Sequence, residues 1–572
     1  MRQLSSTSRR IGVIAVGLAL AGGAVACGPK NGDDATAGGD GKPGKGGTLY
    51  VLNNQAQENF DPARLYTSGG GNVPSLVYRT LTTRNRADGA AGAKVVPDLA
   101  TTTGEPSENA TVWTYHLKDG LTYEDGSPIT TADIKYDIER SFAAELSGGA
   151  PYLRDWLVGA ADYQGPYKDP KGLSSIETPD AKTIVFHLNK PEGEFPLLAT
   201  QTSFAPVPKA KDTGAAYAAH PVSSGPYKVV SNENNGEHLV LKRNPNWSAA
   251  TDDQRKAYPD TIDVRSGLDQ AVINQRLSAG VGKDADAVTT DTNLGPAELA
   301  KVSGDKNLAG RVGTGHFGYT DYIAFNPKVK PFDDIKVRQA IAYAINRTTV
   351  INAQGGSSLN DPATTFLPAQ ASFGYTAYDP FPAGRTGDPA KAKELLKEAG
   401  YPNGLTVSLT HDVTKGDEQG PEVATAVQEA LKAAGITVKL DGQEHAAFSD
   451  KIHTLKTEPG FFLTGWGADW PSGGPFLGPI FDGRQIVRDG ANFNNAQLDD
   501  PAVNNEIDQI NKITDLKAAA VRWGALDKKI GEQALTVPLF HPVYKRLFGK
   551  NIKNVVISDW TGVLDISQAA VK

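Results

Sequence analysis

One stretch constrains the fold more than any other: a strand–helix–strand–strand pattern between Leu405 and Trp466. Leu405 to Leu409 alternates like a strand. Glu422 to Ala434 places apolar residues at helical spacing and is stopped by Gly435. Ile436 to Leu440 alternates again, and FFLTGW (461–466) is a continuous apolar run. Two strands joined by a crossover helix must lie parallel in one sheet. An unbroken apolar strand in such a sheet is expected to be buried on both faces. The pattern therefore predicts an α/β fold in this half of the chain. Asp388-Pro389 opens a further helix with a cap and a first-turn proline, and Ala392, Leu395, Leu396 and Ala399 form its apolar stripe. Asp334 to Arg347 reads as another helix, with Val337, Ile341 and Ile345 on one face.

The first half is richer in β signals. GTLYVL (47–52) begins the folded sequence. WTYHL and LTYE are followed by Asp119-Gly120 and Asp125-Gly126, both turn dipeptides. Thr131 is placed to cap a helix carrying Ile134, Ile138 and Phe142, and IVFHL, PYKVV and HLVLKR read as strands between about 183 and 243. At 572 residues the chain exceeds one ordinary domain.

Directly after FFLTGW come Gly467, Ala468, Asp469 and Trp470, so Asp469 stands just past a strand's carboxyl end. In open α/β sheets that edge binds ligands. The residues alone leave two roles open for Asp469: hydrogen-bonding loop amides, or meeting a ligand with the tryptophans as walls.

The first 26 residues read as an export signal. Arg2, Arg9 and Arg10 precede the apolar run Ile11 to Ala21, which is too short to span a membrane, and small residues lead to Cys27. Cys27 is the only cysteine of the chain. The arrangement resembles a bacterial lipoprotein signal, in which the cysteine carries lipid, although Ala24 stands where Leu is usual. Ser8-Arg9-Arg10 partly resembles a twin-arginine signal, from which Ile11 and Gly12 depart, so both export routes stay open. Removal of residues 1–26 takes three arginines and no acid, moving the net charge from −7 to −10. That balance argues against a sequence-independent hold on nucleic acid. Gly28 to Gly47 holds no large apolar residue and is expected to be a flexible tether.

Catalytic patterns are lacking. The sequence has no GxSxG and no HExxH, and no two of its nine histidines fall at i, i+3 or i+4. No metal or cofactor is expected. Gly39 to Lys45 matches the spacing of a phosphate loop, but Gly46 replaces the magnesium-binding hydroxyl and no strand precedes it.

Seven segments, in order, resemble one family: VVPDLA (95–100), WTYHLKDGLTYEDGSPITTADIKYDIERS (113–141), SSGPYKV (223–229) with LKRNPNW (241–247), YIAFNPKVKPFDDIKVRQAIAYAINR (322–347), DPAKAKELLKEAGYPNGLTVSL (388–409), GWGADWP (465–471) and VPL (537–539). The family is that of the extracytoplasmic solute-binding proteins of ABC importers, in the peptide, oligopeptide and nickel group. The resemblance implies a periplasmic-binding-protein-like α/β fold of two lobes joined by two crossovers, with an extra β-rich subdomain in the first lobe. Mapped onto this chain, lobe I comprises 48–78, 206–321 and 538–572, the inserted subdomain 79–205, and lobe III 322–537. It further implies a non-enzymatic, monomeric protein that closes around a short peptide and presents it to an ABC permease. The acid of its GWxxDxP motif, here Asp469, fixes a peptide's α-ammonium, with Trp466, Gly467 and Trp470 around it. Tyr322, Asn326, Asn492, Asn494, Tyr66 and Gly69 to Gly71 are further candidates. Pro471-Ser472 lacks the acid many relatives place there, and Asn346 replaces a frequent Asp at a helix end. Oligosaccharides, metal chelates and a sensing role without transport are alternatives, and hydrolysis a remote one.

Overall fold

The expected strands and helices form where the apolar spacing places them. A computed structural model describes residues 43–57, 59–66, 73–414 and 419–572. The signal, Cys27 and Gly69 to Gly71 lie outside the described residues. Among the described residues the strands make four sheets, of five, seven, four and two strands.

The five-stranded sheet is built around Thr48–Leu52, which runs parallel to Thr261–Arg265 on one side and Ala287–Val288 on the other. His238–Arg243 and Tyr227–Glu233 continue it as an antiparallel pair. The four-stranded sheet is antiparallel and contains Val112–His116 and Thr183–His187 in full register. A helix, Thr131–Arg140, packs Ile134 and Ile138 into the same core. Its cap is Thr130, one residue before the expected Thr131. Thr130 and Asp133 form a reciprocal capping box, while the Thr131 hydroxyl donates to the Asp180 carbonyl at 2.7 Å.

The seven-stranded sheet carries the crossover unit. Leu405–Asp412 and Ile436–Gln443 pair in parallel from Leu405↔Ile436 onward, joined by the helix Pro421–Ala433 with Val423, Val427 and Leu431 buried. Phe461–Gly467 lies between Leu405–Asp412, to which it is parallel, and Tyr319–Phe325, to which it is antiparallel. Its first four residues are buried and its last three half-buried, so burial on both faces ends at Thr464. Phe325, Phe332 and Phe461 stack with centroids 5.5–5.6 Å apart. Each such ring stabilises the fold by about 1.5–3 kcal/mol relative to exposure. The expected helix 334–347 is two helices: Ile335–Ala344 ends at Ile345, and Asn346 caps Arg347–Ala353 by accepting from the Thr349 amide at 3.1 Å.

Thr536–Leu547 is the long strand that ties regions together. It pairs with Tyr319–Phe325 at one end and with Val312–His316 at the other. At the N-terminal end, Gly44 donates to the Lys572 carbonyl at 2.7 Å and Gly46 to that of Tyr258 at 2.8 Å, so residues from Gly44 onward are fastened to the folded body.

Candidate ligand-binding site

Asp469 reaches its position because the buried strand Phe461–Gly467 ends two residues before it. The Ala468 amide donates to the Gly318 carbonyl at 3.1 Å, which fixes where the chain leaves the sheet. The loop is then gripped by residues far away in sequence. The Gln201 amide donates to the Asp469 carbonyl at 3.1 Å. The Tyr66 hydroxyl donates to Asp469 Oδ2 at 2.7 Å, and the Tyr152 hydroxyl donates to the same oxygen. Oδ1 takes no hydrogen bond from any described residue. Burial pushes the Asp469 carboxyl above its ordinary pKa, and the two hydroxyls hold it back. Burial and the neighbouring carboxylate push both tyrosines up, so they stay protonated donors.

Trp470 turns away from the sheet that positions it. Its ring is buried in a core cluster whose other members run from Leu81 to Phe204. It lies 4.7 Å from the Tyr152 ring and 5.9 Å from that of Trp156. Its Nε1 donates to Glu194 Oε2 at 2.6 Å. Trp523 donates to Glu194 Oε1 at 2.8 Å, and the Ser472 hydroxyl also donates there. Glu194 is thus a buried acceptor joining the Trp470 loop and Trp523 to the four-stranded region.

A cleft of about 790 Å³, partly open to solvent, borders this loop. Asp469, Trp470 and Pro471 form one wall, with Gln201 beside them. Arg84 and Arg86 contribute to the rest. The volume falls in the range of small-ligand sites, roughly 300–1,000 Å³. No group of three or more His, Cys, Asp or Glu suited to a metal occurs among the described residues.

The other candidates named from sequence divide clearly. Tyr66 joins Asp469. Trp466 flanks the strand end, packs on Phe493 at 5.2 Å and donates to the Pro475 carbonyl at 2.8 Å. Gly467 pairs with Tyr319, and a Cβ there would meet that ring at 2.8 Å. Tyr322 is 1% exposed and packs edge-on against Phe366, within the core. Asn326 is buried and accepts from the Lys328 amide at 2.9 Å. Asn492 and Asn494 are buried in a loop network, where Asn492 donates to the Asn494 carbonyl at 3.0 Å. None of these four lines the cleft. Tyr152, Gln201 and the two arginines escaped the sequence reading, because no local motif marks them.

A cleft walled by a half-satisfied carboxylate at a strand's carboxyl end defines a solute-binding protein. The particular family follows from comparison. The model of bacterial extracellular solute-binding proteins, family 5 (middle region) matches residues 94–487, and the chain belongs to that family. It is 27% identical to the glutathione-binding protein GsiB of Pectobacterium atrosepticum over 454 residues, 78% of this chain and 80% of that one. Identity to heme-binding protein A of Haemophilus influenzae is also 27%, over 91% of this chain and 92% of the relative. Among solved structures, the clavulanic acid biosynthesis oligopeptide binding protein 2 superposes with a TM-score of 0.86 at 34% identity, covering 92% of this chain and 96% of that one. The unliganded open form of the murein tripeptide binding protein MppA shares the fold, with a TM-score of 0.73 at 22% identity over 92% and 98%. As a member of this family the chain is a binding protein and not an enzyme.

Proposed function

We propose that this protein captures short peptides by closing two lobes around them and delivers them to an ABC permease, held at the membrane by lipid on Cys27. The observation that carries the reading is Asp469. Its carboxylate lies on the cleft wall, with Oδ2 occupied by two tyrosines and Oδ1 free of described donors. An α-ammonium brings three donors and a full positive charge, which suits a partly buried carboxylate. A charged hydrogen bond of this kind contributes about 1.5–3 kcal/mol. The names of the glutathione-binding and oligopeptide-binding relatives support a peptide-like ligand.

Lobe I is then 48–78, 206–321 and 538–572, the inserted subdomain 79–205, and lobe III 322–537. Two strands carry the chain between the lobes. Tyr319–Phe325 and Thr536–Leu547 pair with each other, and their register shifts between Asp321 and Tyr322. A hinge in this pair lets lobe III move with Asp469 on it, while Tyr66 and Tyr152 stay with the other lobe. Closure then completes the ammonium site, because a ligand favours the closed state only through contacts made better there.

The test is native mass spectrometry of the mature protein after exchange into matched peptides with free or acetylated N-termini. Retention of the free forms, with at least tenfold less of the acetylated ones, supports the reading. Equal retention overturns the role of Asp469, and copurification of a single non-peptide solute overturns the ligand class.

A further inference from the structure

The cleft that holds Asp469 also carries an excess of positive charge. Arg84 and Arg86 line it, and both reach the same carboxylate: Arg86 Nη1 lies 2.9 Å from Asp565 Oδ2, and Arg84 Nη2 lies 4.0 Å from it. A nearby arginine pair shows what balance looks like. Arg79 and Arg255 face Asp98 and Asp252, two cations against two anions, through contacts of 2.7–3.7 Å. Arg84 and Arg86 have no such second acid. The charged groups that act on Arg84 are Arg86, Asp565 and Arg255, and burial followed by Arg86 brings its pKa down to about 10. Against the upward push of burial, the two arginines draw Asp565 down to about 2. Arg86 is 9% exposed, and its Nε is buried with no hydrogen-bond partner among the described residues. An arginine fork with a donor unspent and a neighbouring guanidinium is built for a second carboxylate.

Building on the peptide reading of Asp469, we infer that Arg84 and Arg86 form a subsite for the terminal carboxylate of the same ligand. The cleft then holds a short zwitterion at both ends, with its ammonium at Asp469 and its carboxylate at the arginines. Side chains between the ends carry less of the affinity, and ligand length is limited by the span between the two charged walls. The order of charges along the wall makes orientation unique, since a reversed peptide would place like charges together.

An equimolar pool of random di- to pentapeptides, prepared in free, N-acetylated and C-amidated forms, tests this on the full mature chain. Retained peptides are counted by native mass spectrometry. The expected result is at least tenfold less retention of C-amidated than of free peptides, and loss of that discrimination in Arg86→Gln. Arg86→Lys, which keeps the charge, restores part of it, and a thermal melt confirms that each variant is folded. Equal retention of free and amidated peptides by the wild type overturns the subsite, whatever the variants do. If acetylation weakens retention and amidation does not, the subsite fails while the role of Asp469 stands. If amidation weakens it and acetylation does not, Asp469 fails while the subsite stands. Retention of no peptide in any form overturns both.

Discussion

Asp469 and Glu194 are two acids on either side of Trp470, and they do opposite work. Glu194 is 4% exposed and takes three donors, from Trp470, Trp523 and Ser472. Both of its oxygens are in use, so nothing further can bind there. Asp469 is half-buried, takes its two donors on one oxygen and leaves the other facing no described donor. A satisfied buried carboxylate fastens elements together, while a partly satisfied one on a cleft wall recognises a ligand. Burial raises the pKa of both, so burial does not distinguish them. The count of donors does.

The largest effect that separates the two acids is on stability. Glu194→Leu leaves two indole N–H groups and a hydroxyl buried without an acceptor, each costing about 1–3 kcal/mol. Urea unfolding is expected to show a loss of about 3 kcal/mol or more, and a near-neutral result would mean that the Trp470 loop is held by packing alone. Glu194→Gln keeps one carbonyl acceptor and loses less.

The next effect is on binding. Asp469→Asn is expected to weaken peptide binding at least tenfold in calorimetry while changing unfolding by less than about 1 kcal/mol, as for a site that is not a structural anchor. A large stability loss with unchanged affinity would make Asp469 a second Glu194.

A third effect is on pH dependence. The ammonium needs the ionised carboxylate, and the Asp469 pKa lies above 3.8 because of burial. Affinity is therefore complete above that raised value and lost as pH falls through it, beginning at a higher pH than for an exposed aspartate. Stability of the unliganded protein runs the other way. The raised pKa favours the folded state below 3.8, and this contribution disappears as pH rises through the raised value. Binding titrations across this window check the sign, and Asp469→Asn should flatten them.

The smallest effect concerns orientation. Tyr152→Phe removes one donor from Oδ2, worth about 0.5–1.5 kcal/mol, and is expected to weaken binding severalfold. Equal affinity would assign Tyr152 to packing against Trp470 and Trp156.

The chain's local order was legible from residues alone. Period-two and helical spacing gave the crossover unit at Leu405–Gln443, because those patterns report which face of each element must be buried. The same logic placed Asp469 past the carboxyl end of FFLTGW. It did not reach Tyr322, Asn326 or Asn492, which the resemblance put forward as candidates. All three are occupied by core packing or local backbone hydrogen bonds. Nor did it reach Arg84 and Arg86, which read as ordinary polar positions after a short strand.

By itself, then, the sequence determined the kind and order of the elements, the export signal and the family. Tertiary structure decided which side chains share a cleft. Tyr66 and Tyr152 lie 403 and 317 residues from Asp469, and Arg86 meets an acid 479 residues away. Periodicity reports which side of an element is buried, over tens of residues at most. Which carboxylate keeps a free oxygen, and which guanidinium keeps an unspent donor, follows only when distant strands have packed and their hydrogen bonds have been shared out.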